Sequence, residues 1–89
     1  MHFSVKAEKQ LLLIKRKNPK LFTKIHKQLK LFIKNPQHPS LRLHKLEGKL
    51  RSSWSISVGT DYRILFYYSD RKNGEVVVYI LGTHKEVYK

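Results

Sequence analysis

Apolar residues recur every three or four positions along the first third of the chain and alternate with polar ones from residue 51 on. The first period belongs to helices with one buried face, the second to half-buried strands. Met1 to Ser4 reads as a short edge strand. Lys6 to Lys17 reads as a helix with Ser4 as its N-cap and Val5, Leu11 and Leu12 among its buried positions. Asn18-Pro19 restarts the chain, because Asn caps well and Pro suits the first helical position. The second helix runs to about Lys34. Leu21, Phe22, Ile25, Leu29, Phe32 and Ile33 share one face; Lys27, Lys30 and Lys34 share the opposite one, with Lys20 and Lys24 beside them.

Asn35-Pro36 ends that helix, and residues 36–49 read as a loop rich in His, Pro and basic residues. From Arg51 to Val58, Trp54, Ile56 and Val58 alternate with Ser53, Ser55 and Ser57, which predicts a strand. Gly59-Thr60 makes a turn. Tyr62 to Tyr68 is the next strand, with Tyr62, Ile64, Phe66 and Tyr68 on one side and Arg63, Leu65 and Tyr67 on the other. Asn73-Gly74 signals a hairpin, and Glu75 to Leu81 is the last strand. The expected fold is α+β in the order βααβββ, with two N-terminal helices on one face of a mostly antiparallel sheet and residues 1–89 forming a single domain.

The pleat then places candidate chemistry. If Trp54, Ile56 and Val58 pack under the helices, Ser53, Ser55 and Ser57 point the other way and make a shallow, open face. Arg63 emerges on that face. An unpaired arginine is costly to bury, so the ordinary structural reading pairs it with Asp61 or Glu75.

Charge narrows the class of partner. Nineteen Lys/Arg against six acids give a net charge of +13. Residues 1–60 hold fourteen of the cations and two of the acids, so almost all the excess lies there. Phosphate backbones are the commonest targets of such a field, although a lysine stripe is also an ordinary solvated helix face. A membrane surface fits less well, because no basic amphipathic segment carries aromatic anchors. The absence of cysteine excludes disulfides, thiolate zinc sites and a cysteine nucleophile. Leu11 to Ile14 is far short of the roughly 20 apolar residues that span a bilayer. With no secretory pattern, the expected compartment is the cytoplasm.

Histidines and cations suffice to cut RNA. A general base takes the 2′-OH proton, the oxygen attacks the adjacent phosphorus, cations stabilise the added charge, and a general acid protonates the leaving 5′-oxygen. Histidine suits both proton roles because its ordinary pKa is about 6.5. His38 and His44 in the loop and His84 after the last strand are the candidates, with Arg63, Lys49 and Arg51 available for phosphate. No two carboxylates stand at ligand-like spacing, so neither a metal nor another cofactor is expected. Each candidate also has a plain structural reading: His2 lies near a terminus, His26 on a helix surface, His38 in a turn cap and His44 on a loop surface. Tyr88 is either a packing residue or an aromatic on which a base stacks.

Three fragments in this order carry a resemblance: His38-Pro39-Ser40-Leu41-Arg42-Leu43-His44-Lys45-Leu46-Glu47-Gly48; Trp54-Ser55-Ile56-Ser57-Val58 followed by Asp61-Tyr62-Arg63-Ile64-Leu65-Phe66; and Leu81-Gly82-Thr83-His84-Lys85-Glu86-Val87-Tyr88. They resemble the RelE/ParE superfamily of bacterial toxin–antitoxin modules, and most closely its RelE/YafQ-type mRNA interferases. The resemblance implies the βααβββ fold and cutting of mRNA in the ribosomal A site. It also implies partners: mRNA, the ribosome and an acidic antitoxin that covers the open face or displaces a helix from it. By position, His44 matches a loop histidine that is a candidate base, Asp61 an acid at the strand start, and His84 a terminal histidine that is a candidate acid. Tyr88 matches a C-terminal aromatic, and Arg63 an arginine on the scissile phosphate. Lys45, Lys49, Arg51 and Lys85 are the expected RNA contacts. The chain departs from the YafQ-like pattern at Ser57, Tyr62 and Ile80, where that branch has His, Trp and Arg. The assignment of base and acid therefore stays open. So do two rival functions: a ParE-like gyrase inhibitor, and a nucleic-acid-binding member of the fold without catalysis.

Overall fold

The structure is a computed structural model that describes residues 1–47 and 52–88. Strand β1 (His2–Phe3) leads into helices α1 (Val5–Lys17) and α2 (Pro19–Lys34). A 3₁₀ turn at Pro39–Leu41 precedes the short strand β2 (His44–Lys45). Strands β3 (Ser53–Val58), β4 (Tyr62–Asp70) and β5 (Glu75–Thr83) follow, and helix α3 (His84–Val87) ends the described chain. The sheet order is β1-β5-β4-β3-β2, antiparallel throughout except for the β1–β5 edge. The α+β reading holds, with two N-terminal helices against a mostly antiparallel sheet. Two elements come in addition: β2 in the expected loop, and α3 after the last strand.

The helices start where the sequence caps them. Ser4 Oγ accepts from Ala7 N at 3.1 Å, and Asn18 Oδ1 accepts from Leu21 N at 3.2 Å with Pro19 at the first helical position. Two glutamine side chains then fasten them to backbone groups of the sheet. Gln10 donates to Leu81 O at 2.8 Å and accepts from Leu81 N at 2.9 Å, beyond the end of the short β1 edge. Gln28 donates to Ser57 O at 2.9 Å, beyond the end of β2. In each place the neighbouring strand is too short to satisfy the backbone, and an amide does it instead.

The main core lies between the helices and one sheet face. Ala7, Ile25, Leu29 and Phe32 meet Leu41, Ile56, Val58, Ile64, Phe66, Val76, Val78 and Leu81 there. Three helical positions expected inside are outside: Val5, Leu12 and Ile33 are 69%, 61% and 67% exposed. The sheet offers a surface only wide enough for the central stripe of each helix, so positions at the edge of the apolar arc stay in solvent.

The expected open serine face is also corrected. Ser53, Ser55 and Ser57 are buried. Leu46, Leu65 and Val87 form a second apolar cluster on that side of the sheet, joined by Tyr79, Ile80 and Tyr88. Tyr79 and Ile80 reach it because a bulge breaks the β4–β5 register between Leu65 and Phe66. Tyr79 Oη donates to Ser53 Oγ at 2.9 Å. The chain thus covers part of its second sheet face with residues that single-strand alternation does not reveal.

Candidate active site

What remains open on that second face is a hollow at one end, and the strand register decides which residues enter it. His44 stands opposite Ser55, Ser57 opposite Arg63, and Arg63 opposite Gly82. Cross-strand partners point to the same side, so His44 and Arg63 share the face turned away from α1 and α2. Helix α3 folds back over the same face. Thr83 and Glu86 close a capping box: Glu86 Oε1 accepts from Thr83 N at 2.8 Å and Thr83 Oγ1 accepts from Glu86 N at 3.3 Å. His84 N donates to the Asp61 carbonyl at 2.7 Å, which pins the first residue of α3 to the start of β4. The His84 and Tyr88 rings then meet edge-on, with centroids 4.5 Å apart. The result is a hollow of about 440 Å³ lined by His44, Lys45, Leu46, Glu47, Arg63, His84 and Tyr88.

The guanidinium of Arg63 is held without being neutralised by the acids expected to pair with it. Nη1 donates to Tyr62 O at 2.9 Å and Nη2 to Thr60 O at 3.3 Å. Among the described residues it forms no ion pair with Asp61 or Glu75; Glu75 instead meets the N-terminal ammonium at 3.7 Å and His2 Nε2 at 3.3 Å. Neutral carbonyls orient the fork and leave its charge for an anion.

His44 is oriented by backbone as well. Its Nδ1 lies 3.0 Å from the Arg42 carbonyl, and a carbonyl can only accept. Nδ1 therefore carries the proton in this bond, and Nε2 of the neutral ring is left as a bare acceptor. Arg42 has φ 48° and ψ 44°, a left-handed conformation uncommon for a residue with a side chain. Two buried oxygens on this side of the sheet, Tyr88 Oη and Ser55 Oγ, have no hydrogen-bond partner among the described residues. At the far side of α3, burial and then the Glu86 carboxylate push the Tyr62 phenol above its usual range.

The structure brings together five of the residues singled out in the sequence: His44, Lys45, Arg63, His84 and Tyr88. Asp61 is exposed and does not line the hollow; what it contributes is the carbonyl that holds His84. Lys85 is exposed and outside the wall. Lys49 and Arg51 lie outside the described residues. His38 caps the 3₁₀ turn, its Nδ1 accepting from Ser40 N at 3.1 Å. Sequence reasoning missed Glu47, the carboxylate in the wall. The signal available was its place three residues after His44, beyond a leucine that had to turn inward. Among the described residues no three His, Asp or Glu side chains gather as a metal site would require.

A family model described as the RelE-like toxin of the type II toxin–antitoxin system HigB matches residues 18–84. The chain belongs to this family of RelE-like toxins. Solved structures agree on the fold of this RelE-like chain. A YoeB/ParE toxin from Agrobacterium tumefaciens superposes with a TM-score of 0.79 at 14% identity, covering 93% of this chain and 95% of that one. YafQ from E. coli strain BL21(DE3) gives 0.77 at 17% identity, covering 99% and 96%. The YoeB–YefM complex from Staphylococcus aureus gives 0.76 at 20% identity, covering 93% of each chain. No curated protein matches the sequence significantly. No helix among the described residues is long and apolar enough to cross a membrane.

Proposed function

We propose that this RelE-like toxin is a metal-independent endoribonuclease that cuts mRNA within the ribosomal A site, and that the hollow between β2, β4 and α3 is its active site. The observation that carries the reading is the shared wall: an imidazole with a bare Nε2, a guanidinium held by neutral carbonyls and a second imidazole at the start of α3 face one space. His44 Nε2 accepts the 2′-OH proton. The 2′-oxygen attacks phosphorus while Arg63 holds the non-bridging oxygens. Protonated His84 gives its proton to the departing 5′-oxygen. The products are a 2′,3′-cyclic phosphate and a 5′-hydroxyl. Tyr88 steadies the His84 ring through their edge-on contact. Asp61 acts through its carbonyl as a positioning residue. Lys45 and Lys85, with Lys49 and Arg51, supply contacts to flanking phosphates, so binding weakens as salt rises.

Glu47 supports a second assignment of the base. It shares the wall with Arg63 and His84, and a carboxylate there can take the 2′-OH proton in place of His44. An acidic antitoxin is the expected inhibitor, and the Staphylococcus aureus toxin is seen in complex with YefM. The site of action, on ribosomes, is cytoplasmic.

Mapping transcript ends after induced expression tests the reading. Cuts within translated codons are expected from the parent chain, with loss of cutting in His84→Ala and Arg63→Ala variants that remain folded. Intact messages, together with inhibition of purified gyrase in a supercoiling assay, would favour the ParE-like alternative.

A further inference from the structure

Arg42 is exposed and stands two residues before His44, where a phosphate contact would be its obvious use. The structure puts its side chain elsewhere. It lines a shallow hollow with Lys24, Lys27 and Val58 on the α2 side and takes no part in the wall around His44 and Arg63. Only its backbone serves the candidate active site, through the carbonyl 3.0 Å from His44 Nδ1. A firmly tied turn aims that carbonyl. In the 3₁₀ turn Pro39–Leu41, His38 O accepts from Leu41 N and Pro39 O accepts from Arg42 N, both at 3.1 Å. His38 Nδ1 closes the start of the turn, 3.1 Å from Ser40 N and 3.0 Å from Ser40 Oγ. Leu41 is fully buried in the main core. Gln28 Nε2 reaches Ser40 O at 3.4 Å and Ser57 O at 2.9 Å, so α2 ties the turn to the strand position opposite Arg63. The chain leaves this turn through the left-handed Arg42, and His44 then pairs with Ser55. A residue with a side chain resists that conformation, so the surrounding turn has to hold it. Relaxing Arg42 to extended backbone would swing its carbonyl by about 90° in ψ, away from the imidazole.

We propose that Arg42 is a positioning residue whose left-handed backbone, rather than its guanidinium, fixes His44 in the tautomer protonated on Nδ1, and that His38 serves the same end by capping the turn. A neutral histidine ring free in water favours the other tautomer, with the proton on Nε2. In that form Nε2 is a donor and cannot take a proton from a hydroxyl. The Arg42 carbonyl reverses the preference because it can only accept, which leaves Nε2 bare. The inference rests on the nuclease reading only for the use made of that bare nitrogen. The tautomer itself belongs to the chain without RNA, so the two can fail separately.

The test reads the ring nitrogens of His44 by ¹H–¹⁵N correlation on the full chain without RNA, at about pH 8, where an ordinary histidine is neutral. The parent should show a protonated Nδ1 and a bare Nε2. Glycine takes the left-handed conformation freely and a β-branched residue does not. Arg42→Gly should therefore keep the His44 pattern, and Arg42→Val should lose it. His38→Ala should lose it too, and His38→Asn should restore it, because an asparagine oxygen can accept from Ser40 N as the imidazole does. Circular dichroism confirms that each variant is folded. In cleavage of ribosome-bound message, Arg42→Val and His38→Ala should be about tenfold or more slower than Arg42→Gly and His38→Asn respectively. Three outcomes would overturn the proposal. One is a parent His44 protonated on Nε2. Another is an unchanged His44 pattern in both folded Arg42→Val and His38→Ala. The third is Arg42→Gly cutting as slowly as Arg42→Val with its tautomer intact, which would give the role to the guanidinium. The expected tautomers in a parent chain that cuts no message would uphold the positioning role and remove the nuclease reading instead.

Discussion

Gly82 stands directly opposite Arg63 in the β4–β5 ladder, and a Cβ placed on it would lie 3.1 Å from Glu86 Oε1 and 3.2 Å from Val87 Cγ1. The missing side chain is what lets α3 close over the sheet beside the arginine. Gly82→Val should therefore push α3 outward. We expect it to destabilise the fold by about 1–3 kcal/mol and, through a misplaced His84, to cut activity about 100-fold. Thermal melts and a ribosome-dependent cleavage assay check the two effects separately. Parent-like activity in Gly82→Val would mean that α3 placement does not govern the site.

In the proposed mechanism, His44 and Glu47 are the two candidates for the base. If His44 takes the proton, His44→Ala loses about 100-fold or more in cleavage rate and Glu47→Gln loses little. The reverse ranking assigns the base to Glu47. Single-turnover rates on ribosome-bound message separate the two, because they isolate chemistry from release. Equal, small losses in both variants would remove the proton-transfer pair from the account.

The Tyr62 phenol gives a pH signature outside the candidate active site. Burial and the Glu86 carboxylate raise its pKa above the unfolded value. The folded state thus keeps a proton that the unfolded chain releases from about pH 10 upward. Stability tied to this group is fully present below that pH and is lost as pH rises through the raised folded value. Tyr62→Phe keeps the ring and removes the titration, so its melting temperature should fall less steeply between about pH 9 and pH 11 than that of the parent. Parallel curves would contradict the shift.

Ser55 is fully buried and its hydroxyl has no partner among the described residues. An unsatisfied buried hydroxyl costs about 1–3 kcal/mol. Ser55→Ala should therefore leave stability unchanged or raise it, as read from denaturant midpoints. A clear destabilisation would reveal a hydrogen bond to this oxygen.

Much of this architecture is written in local pattern. The helices follow from Ser4, Asn18-Pro19 and the 3.6-residue spacing of Ile25, Leu29 and Phe32; the strands follow from alternation across Trp54 to Val58 and Tyr62 to Tyr68. What pattern misses has physical causes. A two-residue strand such as β2 has no period, and its pairing with Ser55 and Trp54 is a tertiary event. Helix α3 spans four residues, too few for periodicity, although Thr83-His84-Lys85-Glu86 spells a capping box. Serine fits a buried or an open face equally well by size, so the fate of Ser53, Ser55 and Ser57 waited on Leu46, Tyr79 and Val87 arriving from elsewhere. His84 and Arg63 were legible as candidates through family likeness. The Asp61 carbonyl that fixes His84, and the entry of Glu47, needed the fold.

The end chemistry of the cleaved RNA tests the central claim most directly. Message bound to translating ribosomes and cut by the purified chain should carry a 2′,3′-cyclic phosphate on the upstream fragment and a 5′-hydroxyl on the downstream one, with no need for added divalent metal beyond what the ribosome requires. A 3′-hydroxyl paired with a 5′-phosphate would contradict attack by the ribose oxygen, and with it the roles assigned to His44, Arg63 and His84.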